Sequence, residues 1–152
     1  MALIPRVYID TSVIGGCFDE GFREDSLHLL DEFRKGLLKA VLSDLTIGEM
    51  EGAPPVVREL LDKPPLRDAE RVVLDSEADT LAEEYIREGV VTELHRVDAE
   101  HIAVATVCRA DVLVSWNFRH IVNLTRIREF NAVNLRMGYP PLEIRSPREV
   151  LR

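Results

Sequence analysis

The chain has 152 residues, 30% of them charged, and a formal net charge of −8 at pH 7. That length suits one domain, residues 1–152, able to bury roughly two-thirds of its unfolded surface. The negative balance argues against a nucleic-acid binder held by bulk positive charge, and no apolar run approaches the ~20 residues of a membrane span.

The first element is a short apolar strand, Arg6-Val7-Tyr8-Ile9, which runs into Asp10, the hydroxyls of Thr11 and Ser12, and then Gly15-Gly16. This N-terminus lacks a signal-peptide pattern, because Asp10 ends the apolar run almost at once. A carboxylate at the end of a buried strand is costly to desolvate unless something compensates. In an open α/β sheet, strand ends are also where ligands and metals bind. Asp10 is therefore either a solvated strand-end residue or the first member of a polar site.

A polar turn, Phe18-Asp19-Glu20-Gly21, precedes a helix predicted from Arg23 to Leu38, with Leu27, Leu30, Phe33 and Leu37 at spacings of three and four. Ala40 to Ser43 reads as a second strand, and Ser43 or Asp44 is placed to cap a helix from Leu45 to Glu51 that carries Glu49. Pro54-Pro55 opens another helix to Asp62, which Pro64-Pro65 closes. Val72 to Leu74 is a brief third strand. Ser76-Glu77-Ala78-Asp79 begins a helix through Glu88 that Gly89 stops.

Val97 to Cys108 is a mostly apolar helix with charge only in its first turn, which includes Asp98. Val112 to Trp116 is the clearest buried strand, with Asn117 at its C-terminal end; Trp116 reads as core. A helical stretch broken near Asn123 resumes to Met137 and ends at Gly138. Leu142 to Ile144 is a last strand, and Ser146-Pro147 starts a final helical turn. Strands alternating with helices indicate an α/β fold with a mostly parallel sheet. Cys17 and Cys108 have no metal-like spacing; Cys108, in an apolar helical pattern, is expected to be a buried free thiol, and a cytoplasmic location follows.

Charge is unevenly distributed. From Asn117 onward, seven arginines (Arg119, Arg126, Arg128, Arg136, Arg145, Arg148, Arg152) face three glutamates, a balance of +4 that leaves −12 on the first 116 residues. Charge alone favours a solvated face over a phosphate-binding surface.

Four polar residues share a pattern: Asp10 and Asn117 each follow an apolar strand, Glu49 lies just past another, and Asp98 opens an apolar helix. Each has an ordinary explanation. Asp98 is favoured at a helix N-terminus by ~0.3–1 kcal/mol, Glu49 suits an exposed helix, and Asn117 suits a turn. The strand-end placement of Asp10 and Asn117 makes convergence on one crevice the better account. Three carboxylates and an amide oxygen there would repel unless a cation neutralised them, and hard oxygen ligands suit Mg²⁺ or Mn²⁺. Such an ion could activate water for phosphoryl displacement.

The order and spacing of Tyr8-Ile9-Asp10-Thr11-Ser12, Ser43 through Glu49-Met50, Asp98-Ala99-Glu100-His101-Ile102-Ala103, Ser115-Trp116-Asn117-Phe118-Arg119-His120 and Gly138-Tyr139-Pro140-Pro141 resemble the PIN-domain family, and within it the VapC-like toxins of toxin–antitoxin systems. The resemblance spans essentially the whole chain. It implies a Rossmann-like α/β/α sandwich and Mg²⁺- or Mn²⁺-dependent cleavage of RNA, with Asp10, Glu49 and Asp98 as metal-binding catalytic acids. Asn117 falls where many members carry a fourth aspartate, so a second metal would be held more weakly. An antitoxin protein and a homodimer are the implied partners. Ser12 and Ser115 could support the acids, and Arg119 and His120 could touch a substrate phosphate. His101, one turn beyond Asp98 on the same helix face, is a further candidate to support the acids, weighed against the commoner packed histidine bonded to backbone.

A second class of function fits as well: a catalytically silent PIN-like module that binds RNA or a protein. A phosphatase of the haloacid-dehalogenase type also places an aspartate after its first strand, but it needs another two residues later, where this chain has Ser12.

Overall fold

A computed structural model describes residues 3–151; Arg152 of the basic tail lies outside them. The elements in chain order are β1 (Arg6–Ile9), α1 (Thr11–Gly16), α2 (Arg23–Arg34), β2 (Lys39–Ser43), α3 (Asp44–Met50), α4 (Pro55–Arg58), β3 (Glu70–Val72), α5 (Ser76–Arg87), α6 (Arg96–Val107), β4 (Val112–Val114), α7 (Leu124–Arg136), β5 (Ile144–Arg145) and α8 (Pro147–Val150). The strands form one sheet in the order β3-β2-β1-β4-β5, and every pairing is parallel. Tyr8 pairs with Val41 on one side and Leu113 on the other.

Strand alternation sorts the core into two layers. Tyr8, Val41, Leu113 and Ile144 pack with the buried faces of α5, α6 and α7. Val7, Ile9, Ala40, Leu42 and Val114 pack with α1, α2 and Met50 of α3. Helices thus cover both faces of the sheet, which is why its strands are apolar at successive positions rather than alternating. α6 is buried from Ile102 through Thr106 without a break, because it lies between the sheet and α5; hence its lack of a polar stripe.

From β1 the chain builds outward in both directions, β2 and β3 to one side and β4 and β5 to the other. The gap between the ends of β1 and β4 is a topological switch point, where diverging connections leave a crevice. Asp10 follows β1 and Ser115 follows β4.

Several expectations need correction. The segment after Asp10 is a helix, α1, in spite of its two glycines, with Asp10 as its N-cap accepting from Ser12 N. α2 stops at Arg34, not Leu38, because the chain turns through Gly36 with φ +77°. Leu37 thus lies beyond the helix and is exposed; within it Leu27 is exposed as well, while Leu30 and Phe33 are buried. Neither Ser43 nor Asp44 caps α3 with its side chain: Ser43 Oγ bonds Tyr8, and Asp44 accepts from Leu74 N. β3 lies two residues earlier than predicted, and β5 falls at Ile144–Arg145. The ladder of β4 ends at Val114, since the amide of Trp116 turns to Ser12 Oγ. Cys17 is the buried thiol; Cys108 is half-exposed.

Candidate active site

Asp10 is 5% exposed, and both of its oxygens are engaged. Oδ1 accepts from Ser12 N at 3.1 Å and from Ser12 Oγ at 2.6 Å, while Oδ2 accepts from Ser115 Oγ at 2.6 Å. Each serine also accepts a backbone amide, Ser12 from Trp116 N and Ser115 from Asn117 N, both at 2.9 Å. The hydroxyls stitch the ends of β1 and β4 together around one carboxylate. Burial raises the Asp10 carboxyl; the His101 charge and the serine bonds work against the rise, and Glu49 adds to it.

Glu49 reaches the same region from α3. Its Oε1 accepts from Thr11 Oγ1 at 2.7 Å and meets His101 Nε2 at 2.8 Å. Burial alone would raise this carboxyl, but the His101 and Thr11 hydrogen bonds outweigh it and hold Glu49 below the usual range. Asp98, in the first turn of α6, has its Oδ2 3.8 Å from His95 Nδ1. Burial raises Asp98, the charges of His120 and His101 oppose the rise, and Asp10 adds to it. Glu49 and Asp98 therefore each lie within electrostatic reach of Asp10. The Glu49 and Asp98 side chains remain 40% and 22% exposed, open to a ligand from solvent.

His101 is 2% exposed, yet its partners are not backbone groups as expected. They are Glu49 and the hydroxyl of Tyr8, 2.6 Å from Nδ1. Asn117 behaves as a turn residue, its Oδ1 accepting from Arg119 N at 3.2 Å and His120 N at 3.0 Å. The ring of His120 stacks on His95, with centroids 3.7 Å apart. Much of the basic tail is neutralised: Arg126, Arg136, Arg145 and Arg148 pair with Glu129, Glu88, Glu143 and Asp25. Arg119 is exposed and makes no ion pair among the described residues. Trp116 is core, stacked on Phe22 with its Nε1 donating to Ser26 Oγ at 2.8 Å.

Sequence reasoning missed Tyr8, Thr11, Ser43 and His95. Two of them left a signal: Tyr8 shares a strand face with Asp10 at i−2, and His95 shares a helical face with Asp98 at i−3.

The donor chemistry, carboxylates that raise one another's proton affinity, suits a hard divalent cation. Among the described residues, however, no three His, Cys, Asp or Glu side chains stand together closely enough to hold a metal ion. The acids stand apart, as like charges do, with Asp10 tied to its serines and Glu49 to Thr11 and His101.

In sequence, no family model matches the chain, and no curated protein does either. In structure it superposes on a chain of the VapBC2 complex from Rickettsia felis, solved with a promoter DNA fragment, at a TM-score of 0.61 with 13% identity over 93% of this chain and 98% of that one. A chain of FitAcB from Neisseria gonorrhoeae gives 0.61 with 14% identity over 95% and 99%. A toxin–antitoxin complex from Klebsiella pneumoniae gives 0.57 with 18% identity over 75% and 88%. The fold is the PIN-like α/β/α sandwich of these toxin–antitoxin proteins. At such identities the likeness is one of fold, and for the Rickettsia and Neisseria chains the agreement extends along nearly the whole of both partners. Among the described residues of this PIN-like chain, no helix is long and apolar enough to cross a membrane.

Proposed function

We propose that this chain is a metal-dependent ribonuclease, the toxin of a toxin–antitoxin pair. What supports the reading is the buried Asp10 carboxylate at the switch point of a PIN-like sheet, with Glu49 and Asp98 each within electrostatic reach of it. Asp10, Glu49 and Asp98 would hold Mg²⁺ or Mn²⁺; once bound, the ion supplies a Lewis acid that lowers the proton affinity of water and offsets charge on the phosphate.

The chain's own groups have separable tasks. Ser12 and Ser115 orient Asp10 and keep its oxygens solvated inside the protein. Thr11 and His101 fix Glu49 Oε1. Arg119, exposed and without an ion pair among the described residues, would take a phosphate of the RNA strand, with His120 next to it in the chain. An antitoxin partner, a homodimer and a cytoplasmic location belong to the same reading.

The experiment is cleavage of total cellular RNA by wild type and Asp10→Asn, with and without EDTA. Cleavage that needs Mg²⁺ and is lost in the mutant supports the assignment; unchanged cleavage by Asp10→Asn sinks it.

One observation favours a second reading, a catalytically silent module binding RNA or a protein. No three candidate ligands are gathered to hold a metal among the described residues, and the Asn117 oxygen is taken up by its own turn. Calorimetric titration with Mn²⁺ separates the two, since a silent module needs no carboxylate-dependent binding.

A further inference from the structure

Four side chains from four elements form one line behind the candidate site. Ser43 Oγ, at the end of β2, lies 2.7 Å from the Tyr8 hydroxyl in β1. That hydroxyl lies 2.6 Å from His101 Nδ1 in α6, and His101 Nε2 lies 2.8 Å from Glu49 Oε1 in α3. Ser43, Tyr8 and His101 are all buried. An ionised carboxylate only accepts hydrogen bonds, so Nε2 carries a proton toward Glu49. Nδ1 faces a hydroxyl that can donate or accept, so the Tyr8 contact survives in either charge state of the ring.

We propose that His101 is a positioning residue for Glu49: its ring, anchored by Tyr8 and Ser43, clamps Oε1 and leaves Oε2 as the oxygen for a divalent cation. The inference rests on the metal-binding reading above. Thr11 Oγ1 in α1 donates to the same Oε1 at 2.7 Å, whereas Oε2 has no hydrogen bond among the described residues. An exposed helical glutamate ordinarily loses rotamer freedom when it binds an ion; here that freedom is removed beforehand, which favours binding. Tyr8 lies in β1 and Asp10 directly follows that strand, so the strand that leads into one acid anchors the clamp on another. The arrangement matches the use of outer partners to orient metal ligands, whose loss typically weakens metal affinity ~10–100-fold.

The test titrates Mn²⁺ calorimetrically into wild type, His101→Leu, His101→Gln and Tyr8→Phe, each checked for folding by circular dichroism. His101→Leu and Tyr8→Phe are expected to weaken binding ~10–100-fold. His101→Gln, whose amide can still donate to Oε1, is expected to recover most of the loss. Wild-type affinity in both His101→Leu and Tyr8→Phe overturns the inference, as does equal weakening by Leu and Gln, which marks a packing effect. If wild type binds no Mn²⁺, the metal reading falls instead, and imidazole ¹⁵N shifts of the metal-free protein at mildly alkaline pH decide the clamp. A proton held on Nε2 in wild type, and averaged between the nitrogens in Glu49→Leu, supports it. A proton on Nδ1, or averaging already in wild type, overturns it.

Discussion

Ser115 Oγ stands 2.6 Å from Asp10 Oδ2, across the gap between the ends of β4 and β1. The same hydroxyl accepts the amide of Asn117, so one small side chain satisfies a buried carboxylate and starts the turn after β4. Ser115→Ala leaves both groups without that partner. The expected loss of stability is ~1–3 kcal/mol, read as a lower urea midpoint with an unchanged slope. A midpoint equal to wild type would mean that water enters and replaces the hydroxyl.

Asp10→Asn is expected to separate stability from activity. Burial raises the Asp10 carboxyl, with Glu49 adding to the rise against the charge of His101 and the serine bonds. A carboxyl whose folded value is raised contributes stability at low pH that is lost as pH rises through the folded value. At neutral pH the ionised form is therefore a cost, which asparagine does not carry. The metal-free mutant should melt higher, by about 2–4 °C per kcal/mol relieved, while losing metal-dependent cleavage. A lower melting temperature in EDTA would show that the serine bonds outweigh burial.

The same sign applies to Asp98 and Glu100, both raised first by burial. Glu49 and Glu70 oppose them. Glu49 lies below its usual range because its hydrogen bonds overcome burial, and Glu70 because of its Arg6 partner. Stability held by these two is lost only as pH falls through their lowered values, beneath the ordinary ~4.3 of a glutamate. In EDTA, Asp10→Asn should accordingly flatten the loss of stability with rising pH that the raised carboxyls impose, read by urea unfolding at about pH 5 and about pH 7; the His120 imidazole, which burial lowers, works in the opposite direction and is common to both proteins. Mg²⁺ should stabilise more at the higher pH, where carboxylates are free of protons. No difference in the Mg²⁺ effect between the two pH values would count against carboxylate ligands.

Gly16 closes α1 where a Cβ would stand 2.7 Å from Ser26 Oγ and 2.8 Å from Trp116 Nε1. Alanine gains ~1 kcal/mol of helix propensity, but it must displace a buried ring stacked on Phe22 at 4.3 Å and break the Ser26 bond. Overpacking costs ~1–3 kcal/mol and the lost bond ~1 kcal/mol, so Gly16→Ala should be net destabilising. Trp116 is the single tryptophan of the chain, and its fluorescence reports the displacement directly.

Most of the fold was legible along the chain because its signals are local. Pro54-Pro55 and Gly89 stop or start helices through their own backbone restrictions, and the apolar strands ending in Asp10 and Ser115 carry their pattern within a few residues. Errors arose where a distant partner overrode a local cue. Trp116 leaves the β4 ladder for Ser12 Oγ, more than a hundred positions away, and α1 keeps its glycine because Trp116 crowds it.

The candidate site divides the same way. By itself the sequence placed Asp10 at a strand end, Glu49 just past another strand and Asp98 in the first turn of an apolar helix, because those placements depend on periodicity; that the three form one metal-binding set is what the resemblance to the PIN-domain family implies. Only the tertiary structure decided what holds them. The parallel order around β1 brings Ser115 to Asp10, and the packing of α6 on the sheet carries His101 between Tyr8 and Glu49. Hydrogen-bond partners 35 to 105 residues apart leave no periodic trace, because their meeting depends on strand order and helix packing rather than on any local preference.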